Sequence, residues 1–302
     1  MVRRFWMLSV GERIQLAVEA LTITLLGVFA VMPFGTTWIE SLMLLALGLI
    51  LAILAQERLE AVLLDDQVRR VAPKDRQAQF NLLTASPPEW MFWGGLGRWF
   101  RSVAVPAVAE AATSQSPVRA VLLDPRDEVS CRAYANYRKR SGWYGDHTLQ
   151  ARGVQAEVLA TVGVMLLKQS ETRIRAEVGF ITTYSPRRVD ANGETMLVTT
   201  PDRKHSPLKV QRTHWYYDVV TDEVMATIEN GPVVRFPELA GEIDPGDPGQ
   251  IAEALARVMV FSRAEDGERP LLSGYAEDGV DWELVVEAMA SKRVPDRENR
   301  AS

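Results

Sequence analysis

Two patterns of hydrophobic and polar residues divide the chain. Ile14–Phe34 (IQLAVEALTITLLGVFAVMPF) carries a single charge, Glu19, and Ser41–Ala55 (SLMLLALGLILAILA) carries none. A bilayer core takes about 20 mostly apolar helical residues, and roughly 17 suffice at some cost. The first run meets that length, and the second reaches it by including Trp38, Ile39 and Gln56. Gly35-Thr36-Thr37 between them has room only for a tight turn, so the pattern predicts an antiparallel two-helix transmembrane hairpin over 1–57. Arg3, Arg4 and Arg13 precede it and Arg58, Arg69, Arg70 and Lys74 follow, whereas the turn has no Lys or Arg. The positive-inside rule then puts both termini in the cytoplasm of a multi-pass inner-membrane protein. Trp6 and Trp38 would sit at the two interfaces. A signal peptide and a buried helical pair are the competing readings, the former disfavoured by the second span that follows at once. An intramembrane carboxylate marks a functional or helix-pairing site by default. Glu19 lies within two turns of the cytoplasmic end, so it reads as snorkelling to the headgroups, as a contact between copies, or as part of an ion path.

After the hairpin the period shortens and charge returns. Gln56–Val71 predicts a stalk helix ended by Pro73, with Leu59, Val62 and Leu63 on one face and Gln67 and Arg70 extending it. That seam either docks on the following domain or pairs with a second copy. Ser86–Phe100 (SPPEWMFWGGLGRWF) sets Trp90, Phe92, Trp93, Trp99 and Phe100 around Gly94-Gly95 and Gly97. Rings with one wet side settle at membrane interfaces, which makes Trp90 and Trp93 candidate membrane contacts. The alternative is an aromatic loop wedged into the domain core. Residues 58–100 thus read as stalk and aromatic linker, and 101–302 as a cytoplasmic α/β domain.

Within that domain, Val103–Ala112 predicts a helix. Val118–Leu123 (VRAVLL) predicts a buried strand stopped by Asp124-Pro125, and Asp127–Arg140 a helix. Gln155–Gln169, with Val158, Val162, Met165 and Leu166 at helical spacing, predicts another helix. Arg173–Thr183 alternates as a strand, Asp190–Gly193 reads as a turn and Glu194–Thr200 as a strand. His214–Val220 (HWYYDVV) reads as a strand before a short helix at Asp222–Ile228. Glu238–Gly249, rich in Pro, Gly and Asp, reads as an exposed linker. Ile251–Val260 and Asp281–Ser291 predict helices, and Arg293–Ser302 a charged tail. The class is α/β.

Composition narrows the chemistry. A net charge of −5 over 302 residues argues against general nucleic-acid binding, because phosphate neutralisation needs a basic face. Cys131 is the single cysteine, so a disulfide framework and a cysteine-rich zinc site are excluded. None of His147, His205 and His214 forms a zinc pair, and no serine-hydrolase elbow, phosphate loop or paired-glycine nucleotide fingerprint occurs. No cofactor, catalytic residue or metal-ligand set is predicted, and carboxylate-bound magnesium stays open.

Val118–Pro125, the arginine-bearing helix after it, a second helix, Ile174–Ile181 and the strand after Asn192-Gly193 resemble the phospholipase D-like domains. They are closest in character to the degenerate ones that bacteria attach to membrane segments. The resemblance covers roughly Val103–Arg235 and rests on order and character, and it implies an α/β/α domain. Active members use His-x-Lys, with His as nucleophile and Lys on the phosphate. Here the three histidines are followed two positions on by Leu149, Pro207 and Tyr216, so the resemblance implies a fold without its catalysis.

What such a fold could keep is phosphate recognition. Candidates are Asp124, Arg126 and Arg132 at the Asp-Pro turn, and Arg187, Arg188, Arg203, Lys204 and His205 in later loops, because Arg offers a planar fork that matches phosphate oxygens. Tyr184, with Trp215, Tyr216 and Tyr217, could stack on a base. The alternatives are solvated loop charges, core aromatics and, for Asp124, a capping or turn role. The sequence therefore points to a membrane-anchored sensor or effector. Its α/β domain would bind a small anionic ligand, such as a nucleotide, or a partner, and binding would alter self-association of the hairpin. The plan is similar to effectors of nucleotide-signalled anti-phage defence, an architectural analogy. A membrane-tethered phosphodiesterase or nuclease, and a non-catalytic anchor for a partner protein, are the alternatives.

Overall fold

The computed structural model describes residues 48, 67–85, 87–112, 115–141, 147–200, 205–239, 241–263, 267–273, 275 and 279–291. The hairpin, with Glu19 and Trp38, lies outside the described residues, as do Arg203 and Lys204. Among the described residues no helix is long and apolar enough to cross a membrane. The chain divides into two compact units, Met1–Arg69 and Arg70–Ser302.

The elements in chain order are β1 (Val68–Arg70), α1 (Arg76–Leu83), β2 (Trp90–Trp93), α2 (Val105–Ala111), β3 (Ser116–Leu123), α3 (Glu128–Arg140), α4 (Ala151–Glu171), β4 (Ile174–Ile181), β5 (Arg188–Ala191), β6 (Thr195–Thr199), β7 (Leu208–Gln211), α5 (Trp215–Asn230), β8 (Val233–Arg235), α6 (Pro248–Ala256), β9 (Met259–Ser262), β10 (Gly267–Pro270) and α7 (Trp282–Ala290). The protein is thus mixed α/β. Among the described residues ten strands form one sheet in the order β1-β7-β6-β5-β2-β3-β4-β8-β9-β10. Strands β2, β3 and β4 are parallel. Strands β5, β6 and β7 extend one side antiparallel, and β8, β9 and β10 the other.

Local chemistry explains the frame. The run Val-Leu-Leu that ends β3 is buried throughout, as expected of a parallel strand covered on both faces. Helix α3 starts where the Asp127 carboxylate accepts from Val129 N–H (3.0 Å) and Ser130 N–H (3.2 Å). It ends on Arg138, Lys139 and Arg140, cations suited to the negative end of the helix dipole. Asp247 and Asp281 cap α6 and α7 in the same way. Helix α4 is apolar nearly all round and buries thirteen of its residues, which identifies a central helix rather than a surface one. It packs with α7 and α3. Helix α5 lies on β3 and β4; a Cβ on Gly179 would stand 3.1 Å from Ile228 Cγ1 and 3.2 Å from its Cα, so only glycine admits so close an approach.

Several expectations need correcting. The aromatic segment is neither membrane loop nor linker: Trp90 and Trp93 are 1% and 7% exposed. They belong to β2, which pairs with β3 on one side and β5 on the other. Pairing satisfies both edges of β2, and its four side chains are buried on both faces. The stalk helix does not reach Val71, because Val68–Arg70 forms β1. Asp190 and Ala191 end β5 rather than open a turn. His214–Val220 is no strand; it opens α5. Its aromatic and β-branched content suits a strand, but Tyr217, Val220, Val224 and Ile228 recur at helical spacing and bury one face. Glu238–Gly249 holds Leu239 and Ile243 against the core, so it straps the unit rather than linking two domains.

Candidate functional site

The carboxyl ends of β2, β3 and β4 bring three loops together. Gly94-Gly95 follows β2 and is pinned to β3: Gly94 N–H donates to Val121 O (3.1 Å) and Leu123 N–H to Gly95 O (3.2 Å). Asp124–Asp127 follows β3. Thr182–Arg187 follows β4 and is tied to the second loop by Ser130, whose hydroxyl bonds Asp127 and the carbonyl of Thr182. In open α/β sheets this edge is where ligands bind.

The second loop carries a preformed fork. Arg126 donates from Nε to Asp124 Oδ1 (3.0 Å) and from Nη2 to Asp124 Oδ2 (2.8 Å), and its own N–H reaches Oδ1 (2.9 Å). Its guanidinium lies 6.0 Å from the centroid of the Phe180 ring. Asp124 is buried, so it orients the arginine rather than capping α3, a role that Asp127 takes. The neighbouring Tyr275 hydroxyl is buried without a hydrogen-bond partner. Burial, then Cys131 and Asp124, push it well above the usual phenol range.

Tyr184, in the third loop, meets two tyrosines of α3. Its ring centroid is 5.2 Å from that of Tyr137 and 5.9 Å from that of Tyr134, the latter edge-on. Arg187 pairs with Glu223 of α5 and lies 5.0 Å over the Trp93 ring.

The remaining candidates are elsewhere or differently engaged. Arg188 does not face a ligand. It forms two bonds to the fully buried Asp190, at 2.5 and 2.9 Å, and sits 5.0 to 5.5 Å over the rings of Phe80, Trp99 and Phe92. It is a structural ion pair in an aromatic box. Arg132 pairs with Glu128 on the exposed face of α3. His205 is exposed, with Nδ1 3.3 Å from Thr200 Oγ1. Trp215 and Tyr217 are on α5; Tyr217 is core and Trp215 is exposed.

Sequence reasoning missed a buried charge cluster behind the glycine turn. Glu157 of α4, 2% exposed, receives Arg98 Nη2 at 2.6 Å, Arg101 Nη2 at 2.5 Å and His147 Nε2 at 2.7 Å. Arg101, also 2% exposed, donates as well to Ala288 O (2.7 and 3.1 Å), Glu157 O (3.2 Å) and Thr161 Oγ1 (3.2 Å). Burial alone would raise the Glu157 pKa. The His147 hydrogen bond and the charges of Arg101 and Arg98 overcome it and hold the carboxyl at about 2. The available signal was Glu157 itself, the single charge in the stretch Gly153–Leu167 of α4.

The edge as a whole holds the guanidinium groups of Arg126 and Arg187 beside aromatic faces, each paired with a carboxylate, Asp124 and Glu223, that an anion with a planar part would have to share or displace. Among the described residues, neither Cys131 nor His147 is an activated nucleophile there. Burial, then Asp124, Asp127 and Glu128, push the Cys131 thiol up to about 12, and His147 is engaged on Glu157. Among the described residues no group of three His, Cys, Asp or Glu side chains is placed to hold a metal ion.

No family model matches the chain, and no curated protein matches it. A solved structure that does match is that of TrmBL2, an archaeal chromatin protein that binds DNA. It is 9% identical over 63% of this chain and 67% of that one, with a TM-score of 0.28. A likeness of that size assigns neither a fold family nor a function.

Proposed function

We propose that this protein is a membrane-anchored sensor whose α/β unit binds a small anionic ligand at the carboxyl edge of β2, β3 and β4. In this reading the apolar segments Ile14–Phe34 and Trp38–Ala55 form the inner-membrane hairpin, with both termini cytoplasmic. Ligand binding changes the self-association of that hairpin. The observation that supports it is the convergence of three loops which set Arg126, Arg187 and the Tyr134–Tyr137–Tyr184 cluster at one sheet edge. A nucleotide suits both halves of the chemistry, its phosphates the forks and its base the rings. The phospholipase D-like relation belongs to the same proposal. The order β3, α3, α4, β4, with the two strands parallel and adjacent, is in keeping with a degenerate member that retains phosphate recognition. A role as effector in anti-phage defence rests on architecture alone.

The test is a thermal-shift screen of the full chain in detergent against cyclic and linear nucleotides and inorganic phosphate. A ligand that binds only the folded state adds about 2.7 kcal/mol at a hundredfold excess over its Kd. In a unit of this size that corresponds to a rise of about 5–10 °C in Tm. Arg187→Ala should abolish the shift and leave the ligand-free Tm nearly unchanged, because Arg187 is half-exposed. No shift from any of these compounds would overturn the reading. Turnover of a phosphodiester by the same protein would replace it with an enzymatic one.

A further inference from the structure

The tyrosine cluster of the ligand edge has a second cationic neighbour. Arg126 and Arg187 reach the edge from the loops after β3 and β4, each matched to one carboxylate. Arg98 comes from the loop after β2 and His147 from the short turn before α4. Both meet on a single oxygen of Glu157, at 2.6 and 2.7 Å. That carboxyl is held at about 2, so it is ionised and accepts, and His147 Nε2 carries the hydrogen. Arg98 Nη2 stands 3.2 Å from the same nitrogen, which sets two donors side by side. Arg101 takes the other oxygen of Glu157. Within this cluster one negative charge therefore answers two guanidinium groups and an imidazole. Arg101 is sealed in the core, but Arg98 and His147 keep 33% and 35% of their side chains exposed. The cationic side of the cluster is thus the one that meets solvent.

The cluster belongs to the same edge. Gln155 Nε2, on the second turn of α4, donates to Pro125 O at 3.0 Å, and Thr161 Oγ1 donates to Leu96 O at 2.6 Å. These bonds hold the first half of α4 against the loops after β3 and β2. Tyr134 joins the cluster to the rings. A Cβ on Gly95 would stand 2.7 Å from its ring, and its hydroxyl bonds the buried Arg138 and lies in the field of Arg98. Its ring meets Tyr184 edge-on at 5.9 Å, and Tyr184 shares its loop with Arg187. The ring cluster therefore has Arg98 and His147 at its Tyr134 end and Arg187 at its Tyr184 end.

We propose that Arg98 and His147 form a second phosphate subsite, and that the ligand is a nucleotide with two phosphate groups that are not joined to one another. The inference rests on the reading of this edge as a site for an anionic ligand. A guanidinium and an imidazole side by side present N–H donors suited to phosphate oxygens. A phosphate there leaves the buried Glu157–Arg101 pair in place, because Arg98 and His147 reach Glu157 from its exposed side. Arg187, at the far end of the rings, takes the other phosphate.

The test titrates the full chain in detergent, by isothermal calorimetry, with the four nucleoside 3′,5′-bisphosphates and the matching 5′-monophosphates. One bisphosphate should bind at least about tenfold tighter than the monophosphate of the same base, the gain expected of one more charge-assisted contact. Arg98→Gln and His147→Gln should each remove most of that advantage and leave the monophosphate affinity within about twofold, which also shows that the variant is folded. Should Arg98→Gln fail to fold, Arg98→Lys, which keeps the charge and loses the planar fork, carries the same expectation. A bisphosphate that binds no tighter than its monophosphate, or an advantage that survives both variants, overturns the second subsite and leaves the anion reading standing. Equal loss of both compounds in a folded variant puts a single phosphate at Arg98 and overturns the two-phosphate ligand. Binding by none of the compounds overturns both the subsite and the reading beneath it.

Discussion

Removing the charge of Glu157 tests the buried cluster most directly. In Glu157→Gln the side chain keeps its shape and still offers Arg101 one acceptor, but the guanidinium, 2% exposed, loses its counter-charge. Breaking a buried pair by removing one partner typically costs about 3–5 kcal/mol. A second route to the magnitude is linkage. A carboxyl held at about 2 in the folded protein, against an ordinary 4.5, contributes about 3 kcal/mol at neutral pH. The two figures agree, and for a unit of this size they correspond to a fall of about 6–12 °C in Tm. The sign of the pH dependence follows. A depressed carboxyl stabilises fully above its unfolded value, and that contribution is lost as pH falls from about 4.5 to about 2. Thermal denaturation of wild type and Glu157→Gln in the same detergent should show the full gap at pH 7 and a narrowing gap as pH drops below 4.5. A gap below about 1 kcal/mol at pH 7, or one that stays constant down to pH 3, would refute the assignment of Glu157 as the charged centre.

Three further outcomes are expected. Gly97 has a φ of 73°, and a Cβ there would stand 2.8 Å from Thr161 Cγ2; Gly97→Ala should therefore cost about 2 kcal/mol or more in denaturant unfolding. With its pKa at about 12, Cys131 is thiolate in roughly one molecule in 10⁴ at pH 8. A maleimide should label it only after denaturation, and stoichiometric native labelling would contradict its burial. Arg188→Ala removes the ion-pair partner of the fully buried Asp190 and leaves it chiefly the more distant charge of Arg76, so it should destabilise by about 3 kcal/mol, whereas Arg187→Ala should change Tm by little. Equal effects in a melting assay would show that the two arginines had been wrongly separated.

The elements with one dominant period were legible from the chain. The apolar run of β3, the start of α3 after the Asp-Pro turn and the helical spacing in α4 each have a local cause, and local causes survive in a linear sequence, although the cap of α3 is Asp127 and not Asp124. Where two local signals competed, long-range packing chose. HWYYDVV has strand composition and helical spacing, and it became a helix because Tyr217, Val220, Val224 and Ile228 bury one face. WMFW reads equally as interface or core, and pairing with β3 and β5 made it core.

The candidate site divides in the same way. That Asp124 and Arg126 belong together could be read from their adjacency to the Asp-Pro turn, since residues two apart meet wherever the chain bends. That Arg187 stays in the loop, paired with Glu223, while Arg188 opens β5 and is consumed by Asp190 and three aromatic rings could not, because the point at which the strand begins is set by pairing with β6. The sequence by itself determined the apolar N-terminal segments, the α/β alternation and the absence of familiar catalytic motifs, all properties of composition and short-range spacing. Only the tertiary structure decided which charges are buried together. Arg98 and Arg101, His147 and Glu157 come from three separate segments, and the desolvation that makes them a cluster exists only once those segments pack.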